Sequence, residues 1–411
     1  MTASTQVATD STDTSQRTCT SIAILIPAYN EEQGIEKAVT SVMKQTVFGL
    51  ADVAIDVLII ADNCTDKTGP LVLAMERAWP NLCLMRTVNN KSRKAGALNQ
   101  GFQLLMHSGR KYSFTFTMDA DTVLDPHVIE KGLKTMREED GGICGRVGLL
   151  PLEKEPFEAV PFTGKLLSLA LIWGLLAVFW KGLSWMFRTF WRHLWWGLQN
   201  IEYSIAQSET VERFGWAHCL CGPGTLFRTS VLQEVYDKYG NVWPIDSNVE
   251  DFALTKRIQM LGYHTHVGHD MFTYTDCPIG FRSHRLQRER WYSGNLMTYL
   301  NVGLNRHTVF DGTDIGLQLL WFVCRLALIM TGVNILRTGF IYIDETARWF
   351  LVLPLAATTI LNLLRFRYVP YKPLFQFLLL VCLVYELYAL WYGIVLVKSY
   401  YRAFTRRLRY W

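Results

Sequence analysis

The length of the apolar runs changes along this chain, and no other feature constrains the fold as strongly. Before residue 160 the runs are about 4 to 7 residues long, the size of buried strands, whereas after residue 314 they reach roughly 20, the thickness of a bilayer core. Short runs separated by polar turns call for a sheet with helices packed on it, and long runs call for lipid or a helical neighbour. A chain of 411 residues has room for two or three such units. The net charge of +5 is mild, and Lys and Arg gather late in the chain among aromatics, which favours anionic lipid and argues against nucleic acid. Nine cysteines, an odd number in scattered contexts, read as reduced thiols. The Cys219/Cys221 pair lacks the second pair and the histidines of a zinc module.

The front half alternates strand, polar turn and helix. Residues 21–29 form a strand candidate ending at Tyr29, after which Asn30-Glu31-Glu32 can cap a helix running through Met43. A second run, Ile55 to Ala61, ends at Asp62-Asn63 before a helix at 66–78; a strand near 82–87, a helix at 94–108 and a strand at 113–118 running into Asp119 complete the series. This rhythm predicts an α/β fold with a mostly parallel sheet and helices on both faces. Such sheets present ligands at the carboxyl ends of their strands, where Tyr29, Asp62 and Asp119 all fall.

Residues 1–20, rich in Ser, Thr, Gln and Asp, read as a disordered tail with no signal peptide, so that translation begins in the cytosol. Segment 156–200 breaks the rhythm with an apolar core, Leu166 to Trp180, and then Trp and Phe alternating with Lys181, Arg188, Arg192 and His193. An interfacial or re-entrant membrane insertion is the favoured reading, with a helical hairpin or a buried core helix as alternatives. A second interfacial helix is expected at 293–306, and membrane-crossing helices, about three, within 315–397 (315–337, 347–364 and 374–397). Arg325 and Glu386 interrupt them and are expected to face protein or a lumen. Three crossings would place the basic tail 398–411 on the outer side, against the positive-inside tendency.

Six groups of residues carry the chemistry. Asp119 and Asp121 flank Ala120 in an extended segment, so their carboxylates point the same way; a divalent ion is the usual answer to their repulsion, helix capping the bland one. Asp62 suits either an Asx turn or hydrogen bonds to a nucleotide base. Lys91, Arg93 and Lys94 offer charge to a diphosphate or simply open a helix. Glu250-Asp251 opens a helix and either caps it or supplies a general base, with Asp251 the preferred candidate. Gln287, Arg290 and Trp291 share a helix that either lies on the membrane surface or closes over a sugar and its leaving diphosphate. The Cys221-Gly222-Pro223-Gly224 turn lets backbone approach a ligand closely.

Assembled in this order, the residues resemble the inverting family-two glycosyltransferases of GT-A fold, in particular the membrane-integrated polysaccharide synthases that make cellulose, chitin, hyaluronan and poly-N-acetylglucosamine. The resemblance covers residues 21–300. It implies that Asp62 binds the uracil of a UDP-sugar, with Tyr29, Glu31 and Lys94 also on the donor side. Asp119 and Asp121 would hold its diphosphate through Mg2+ or Mn2+, Asp251 would be the base beside Glu250, and Gln287, Arg290 and Trp291 would match the Q-x-x-R-W signature. The turn with Cys221 and Gly222, together with Trp291, would touch the acceptor. Asp62-Asn63-Cys64 departs from the family's adjacent acids, 156–200 is longer than usual, and Cys-Gly-Pro-Gly replaces Cys-Gly-Ser.

The domain layout expected on this basis is a donor half at 21–155, the insertion at 156–200, an acceptor half at 201–292 and the helices behind them. The expected activity is transfer of a hexose, from UDP-GlcNAc or UDP-Glc, onto a growing β-linked polysaccharide, processive and coupled to translocation, with the catalytic domain cytosolic on the plasma or inner membrane. A homo-oligomer or export partner is expected to help. The alternatives are a single transfer to lipid, as in ceramide glucosyltransferases, and a non-catalytic synthase subunit.

Overall fold

The computed structural model describes residues 19–152, 169–214, 217–338, 345–366 and 374–408. Most of the tail expected at 1–20 lies outside them, although Thr20 already belongs to a strand. The chain forms β1 (Thr20–Ala28), α1 (Ile35–Met43), β2 (Val53–Ala61), α2 (Thr68–Glu76), β3 (Leu82–Arg86), α3 (Arg93–His107), β4 (Phe114–Thr117), β5 (Val123–Leu124), α4 (Val128–Thr135) and β6 (Asp140–Leu149). It continues as α5 (Leu169–Phe214), β7 (Thr225–Arg228), α6 (Thr229–Tyr239), α7 (Glu250–Met260), β8 (His264–Thr275), α8 (Phe281–Val302), α9 (Arg306–Thr338), α10 (Glu345–Arg365), α11 (Leu374–Val381) and α12 (Val384–Leu408).

The eight strands make one sheet in the order β3-β2-β1-β4-β7-β6-β8-β5. The half built from β3, β2, β1 and β4 is wholly parallel. The other half is mixed: β7 runs antiparallel to both β4 and β6, β8 is parallel to β6, and β5 is antiparallel to β8. The expectation of a mostly parallel sheet therefore holds for the first half only, because its rhythm was read from the segment that contains those strands. Two apolar cores form, one on each face, around Ile22, Ile24, Ile26 and Phe116 and around Leu25, Ile60, Phe102 and Trp243. Alternate residues of β1 feed opposite cores, as strand geometry requires.

The side chains of Asn30, Glu31 and Glu32 do not cap α1, whose N-cap is Gly34. They tie the first turn to the second instead: Asn30 Oδ1 accepts from Thr65 N, and Glu32 Oε2 from Lys67 N.

The insertion expected to end at 200 has no boundary there, since α5 runs unbroken from Leu169 to Phe214. Its periodic apolar residues Trp195, Leu198, Ile201 and Ile205 are buried among helices, while Phe179, Trp180, Phe187 and Phe190 stand exposed. The part before 169 that lies in 153–168 is outside the described residues. The segment 293–306 is not a separate helix: residues 293–302 continue α8, and α9 begins at Arg306. Of the expected crossings, Ile315–Thr338 is long and apolar enough to span a bilayer. Segment 374–397 is broken, with α11 and α12 meeting at 71° around Leu383, whose φ is 59°. Arg325 and Glu386 pair with each other, Nε to Oε2 at 2.7 Å. The basic tail begins as helix, with Lys398 and Arg402 inside α12 and Arg402 near Glu289 of α8.

Candidate active site

The carboxyl ends of the parallel strands gather the front-half candidates. Tyr29 follows β1 and is 63% exposed, and Lys91 and Arg93 are exposed beyond β3. Asp62 follows β2 and is buried, its Oδ1 accepting from Thr87 Oγ1 and Asn90 Nδ2 at 2.8 Å and from Asn63 Nδ2 at 3.0 Å. Four residues in this crescent, Asn30, Asn63, Asn89 and Arg93, have φ between 50° and 56°. Asparagine tolerates that left-handed region and arginine does so rarely. Strain of this kind gathers where a chain is shaped around a ligand.

Beyond β4 the carboxylates crowd. Asp121 Oδ1 lies 3.4 Å from Thr275 Oγ1 at the end of β8. The turn before α1 packs against the same segment: a Cβ on Gly34 would stand 3.3 Å from Ala120 O and 3.6 Å from Glu31 Oε2. Burial, then Asp119, push the Asp121 carboxyl up to about 6 even with Lys94 opposing them. Burial, then Asp121, Asp119 and Asp276, push Glu31 up to about 7. Asp119 Oδ1 is buried, and the Lys94 ammonium 2.5 Å away sits off the line of a good hydrogen bond. Glu31, Asp119, Asp121 and Asp276 act on one another's charge, and carboxylate oxygens of this kind are hard donors that could hold a divalent cation.

Lys94 links the two halves of the site, since its Nζ is 2.5 Å from Asp119 Oδ1 and 3.0 Å from Glu250 Oε1. Burial opposes the charge on Lys94, but Asp119, Glu250 and Asp251 outweigh it and hold the ammonium well above its usual range. The neighbouring carboxylates diverge. Burial opposes the charge on Glu250 too, yet Lys94 and the more distant Arg290 keep its carboxyl below the usual range. Burial and then the Glu250 charge push Asp251 up to about 6. Asp251 Oδ2 accepts from Gly222 N at 3.2 Å, and Oδ1 from Phe252 N at 2.7 Å. Both acids line a small cavity with Lys94, Gly222, Leu98 and Trp243. Gly222 leaves room for the site, because a Cβ there would lie 2.7 Å from Lys94 Nζ and 3.0 Å from Asp119 Oδ2 and would displace the ends of both side chains.

The Q-x-x-R-W residues separate. Arg290 is exposed and acts on Glu250 from a distance. Gln287 accepts from Arg288 Nη1, and Trp291 lies under the Arg288 guanidinium, 4.3 Å from carbon to ring centre. Arg288, passed over in the sequence, is fully buried and grips Glu202 of α5 through Nε at 3.0 Å and Nη2 at 2.7 Å. Tyr388 of α12 donates to the same Glu202, and His284 Nε2 lies 2.7 Å from the Tyr388 hydroxyl. Two further supports were missed. Asn99 clamps the loop under the cavity, accepting from Val242 N and Trp243 N at 3.0 Å and donating to Trp243 O at 2.7 Å. Lys256 and His218 share Asp311 of α9, at 2.5 and 2.7 Å, just upstream of the Cys221 turn. The apolar period of α5 continuing past residue 200 was the available signal for Glu202; nothing local marks Asp311.

Comparison with known proteins places this geometry. The profile described as glycosyl transferase family 2 matches residues 23–236, a little over half of the chain, and that of glycosyl transferase family group 2 matches 203–397. A probable glycosyltransferase of Bacillus subtilis, YdaM, is 22% identical over 285 residues, covering 67% of this chain and 55% of its own. The chain thus spans about half the length of that curated relative. The mannosyltransferase PcManGT of Pyrobaculum calidifontis, solved with GDP-Man and Mn2+, superposes with a TM-score of 0.52 at 16% identity over 93% of this chain and 86% of its own, which shows a shared fold. TarS 1-349 of S. aureus, solved with UDP-GlcNAc, gives a TM-score of 0.41 at 14% identity, covering 93% and 92% of the two chains.

Proposed function

The chain belongs to glycosyl transferase family 2, and from that premise we propose that it moves a hexose from a UDP-sugar, with inversion, onto a hydroxyl of a growing glycan at a membrane surface. The observation that carries the reading is the pairing of unlike acids in one cavity: Glu250, its carboxyl kept below the usual range by Lys94, beside Asp251, whose carboxyl is pushed up to about 6 by burial and the Glu250 charge. A base poised there is ionised at neutral pH and still basic enough to take a proton in the transition state.

Asp251 takes the proton from the acceptor hydroxyl as its oxygen bonds to the anomeric carbon and the bond from that carbon to the donor phosphate breaks. Attack opposite the leaving group inverts the centre, and the nucleoside diphosphate departs with the bonding pair. Asp119 and Asp121, with Glu31 close by, would hold Mg2+ or Mn2+, which when bound supplies positive charge to the leaving diphosphate. Lys94 fixes the Asp119 carboxylate and adds a second positive charge beside it. Asp62 and Tyr29 are assigned to the nucleotide base side, Gly222 and Cys221 to the acceptor side, and Trp291 and Arg290 to the wall over the sugar. Donor and acceptor halves at 21–155 and 201–292 follow from the same assignment.

The membrane part of the reading is supported by Ile315–Thr338, by the Arg325–Glu386 pair within apolar helices and by the exposed aromatic end of α5. A catalytic domain on the cytosolic face of a plasma or inner membrane, extension of a polysaccharide through repeated transfers, and help from a second copy or an export partner complete the proposal. A lipid acceptor is the second reading, favoured by one feature: α5 connects exposed Phe179, Trp180 and Phe187 directly to Glu202, which grips the Arg288 that stacks on Trp291.

The test is product size. Purified full-length protein in lipid is incubated with Mn2+ and a panel of labelled UDP- and GDP-sugars, then analysed by gel and by organic extraction. Polymer dependent on a UDP-sugar supports extension; label confined to the lipid extract selects the second reading, and transfer from GDP-sugars alone overturns the UDP assignment.

A further inference from the structure

We propose that Asp140, His264 and His266 form a second metal site, for a borderline divalent ion such as Zn2+, at the end of the sheet opposite the donor carboxylates. One ligand atom from each of the three lies within 4.8 Å of those of the other two. Two ligands bonded tetrahedrally to zinc at about 2.0–2.1 Å stand about 3.3 Å apart, so small side-chain rotations close the set.

Strand geometry explains the cluster. His264 opens β8 and His266 follows two residues later, so both imidazoles project from one face of the strand while Thr265 turns inward to Gln259 and Ala217. Asp140 opens the parallel neighbour β6 and pairs in register with His264, and the irregularity between Asp140 and Gly142 brings His266 opposite Ile143. The Asp140 carboxylate is fully buried. Its Oδ2 accepts from Arg137 N at 2.8 Å, but its Oδ1 has no well-aligned donor although His266 Nδ1 is 2.6 Å away. A buried carboxylate beside two imidazoles, one exposed and one partly exposed, is a ligand set open to solvent on one side. Two nitrogens and one oxygen select zinc, nickel or copper over magnesium and manganese, which prefer all-oxygen shells.

The site is distinct from the donor site. Asp121 touches Thr275, the last residue of β8, whereas His264 is the first; the paired strand β6, which runs from Asp140 to Leu149 alongside, sets their separation at about 25–30 Å. An ion there would staple the entrances of β6 and β8. Arg228 reinforces the same corner by donating to Asp140 O and Arg137 O. The proposal does not depend on the transfer reaction.

The experiment uses tag-free full-length protein, stripped of metal and titrated with Co2+ and Zn2+ in the presence of excess Mg2+, with bound metal counted after dialysis. One Co2+ per chain, with visible d–d absorption and at least tenfold weaker binding in His264→Gln, is expected. His264 is exposed, so this variant removes a ligand without touching the core; His264→Gln/His266→Gln should bind none at this site. Asp121→Asn should leave the Co2+ spectrum unchanged, which separates this site from the donor site. Equal Co2+ and Zn2+ binding by wild type and the double variant, or no Co2+ spectrum in wild type, overturns the proposal.

Discussion

The two halves of the sheet handle acidic side chains in opposite ways. On the donor side, Glu31, Asp119, Asp121 and Asp276 converge with Lys94 between them and the acceptor half, and two of the carboxyls are pushed to about 6 and 7. On the acceptor side two buried acids have closely fitted cations: Glu202 with Arg288, and Asp311 with Lys256. Crowded carboxylates destabilise a fold unless a ligand compensates them, whereas a paired acid holds elements in place. On the proposed assignment the crowded side would receive a cation and the paired side would hold still, with Asp251 at their seam.

The largest expected effect is at that seam. Asp251→Asn should lower the transfer rate by up to about 10^4-fold with donor affinity nearly unchanged, measured as kcat and as nucleotide binding by calorimetry; a loss of donor affinity would move Asp251 to the donor side. The sign of the pH dependence follows: the base works deprotonated, so kcat/KM should rise with pH through about 6 and level off above it. A profile that falls over that range would contradict the assignment. Next in size, Arg288→Met leaves Glu202 buried without its partner and should destabilise the protein by roughly 3–5 kcal/mol, read by chemical denaturation. Little change would mean that the acceptor side is not held by its ion pairs. Gly222→Ala pushes a Cβ against the Lys94 ammonium and the Asp119 carboxylate, ends of side chains that can shift, so it should change stability by under about 1 kcal/mol, while transfer falls more than stability because both displaced groups belong to the site.

The same contrast decides what the sequence disclosed. Donor-side groups sit at strand ends, where a local pattern of apolar run and acid gives their position, so Asp62, Asp119 and Asp121 were legible with the parallel strands. Asp251 and Glu250 were legible as an acidic pair opening a helix. The acceptor side depends on partners far apart in the chain. Arg288 meets Glu202 across 86 residues, and an arginine among several on a helix gives no sign of which one is buried. The antiparallel entry of β7 was hidden for a related reason, since a four-residue strand has too short a pattern to state its direction. The aromatic, basic composition of 179–196 suggested a separate membrane insertion, but the apolar period that fixes α5 into the protein begins at Trp195 and runs past the expected boundary.

The smallest expected effect has the opposite sign to the others and tests the contrast most directly. Asp121 carries a carboxyl raised from 3.8 to about 6 by burial and by Asp119. A group whose folded pKa lies above its unfolded value binds protons more readily when folded, so its ionisation weakens the fold as pH rises from about 4 to 6 and continues to do so at neutrality. Asp121→Asn removes that repulsion while keeping the shape, and the metal-free protein should gain about 1 kcal/mol at pH 7. The same variant should lose the stabilisation that Mn2+ with nucleotide gives the wild type, because the cation has lost a ligand. Denaturation with and without Mn2+ and UDP reads both changes in one experiment. A metal-free variant less stable than wild type would show that Asp121 is already compensated within the fold, and the donor side would then be built like the acceptor side.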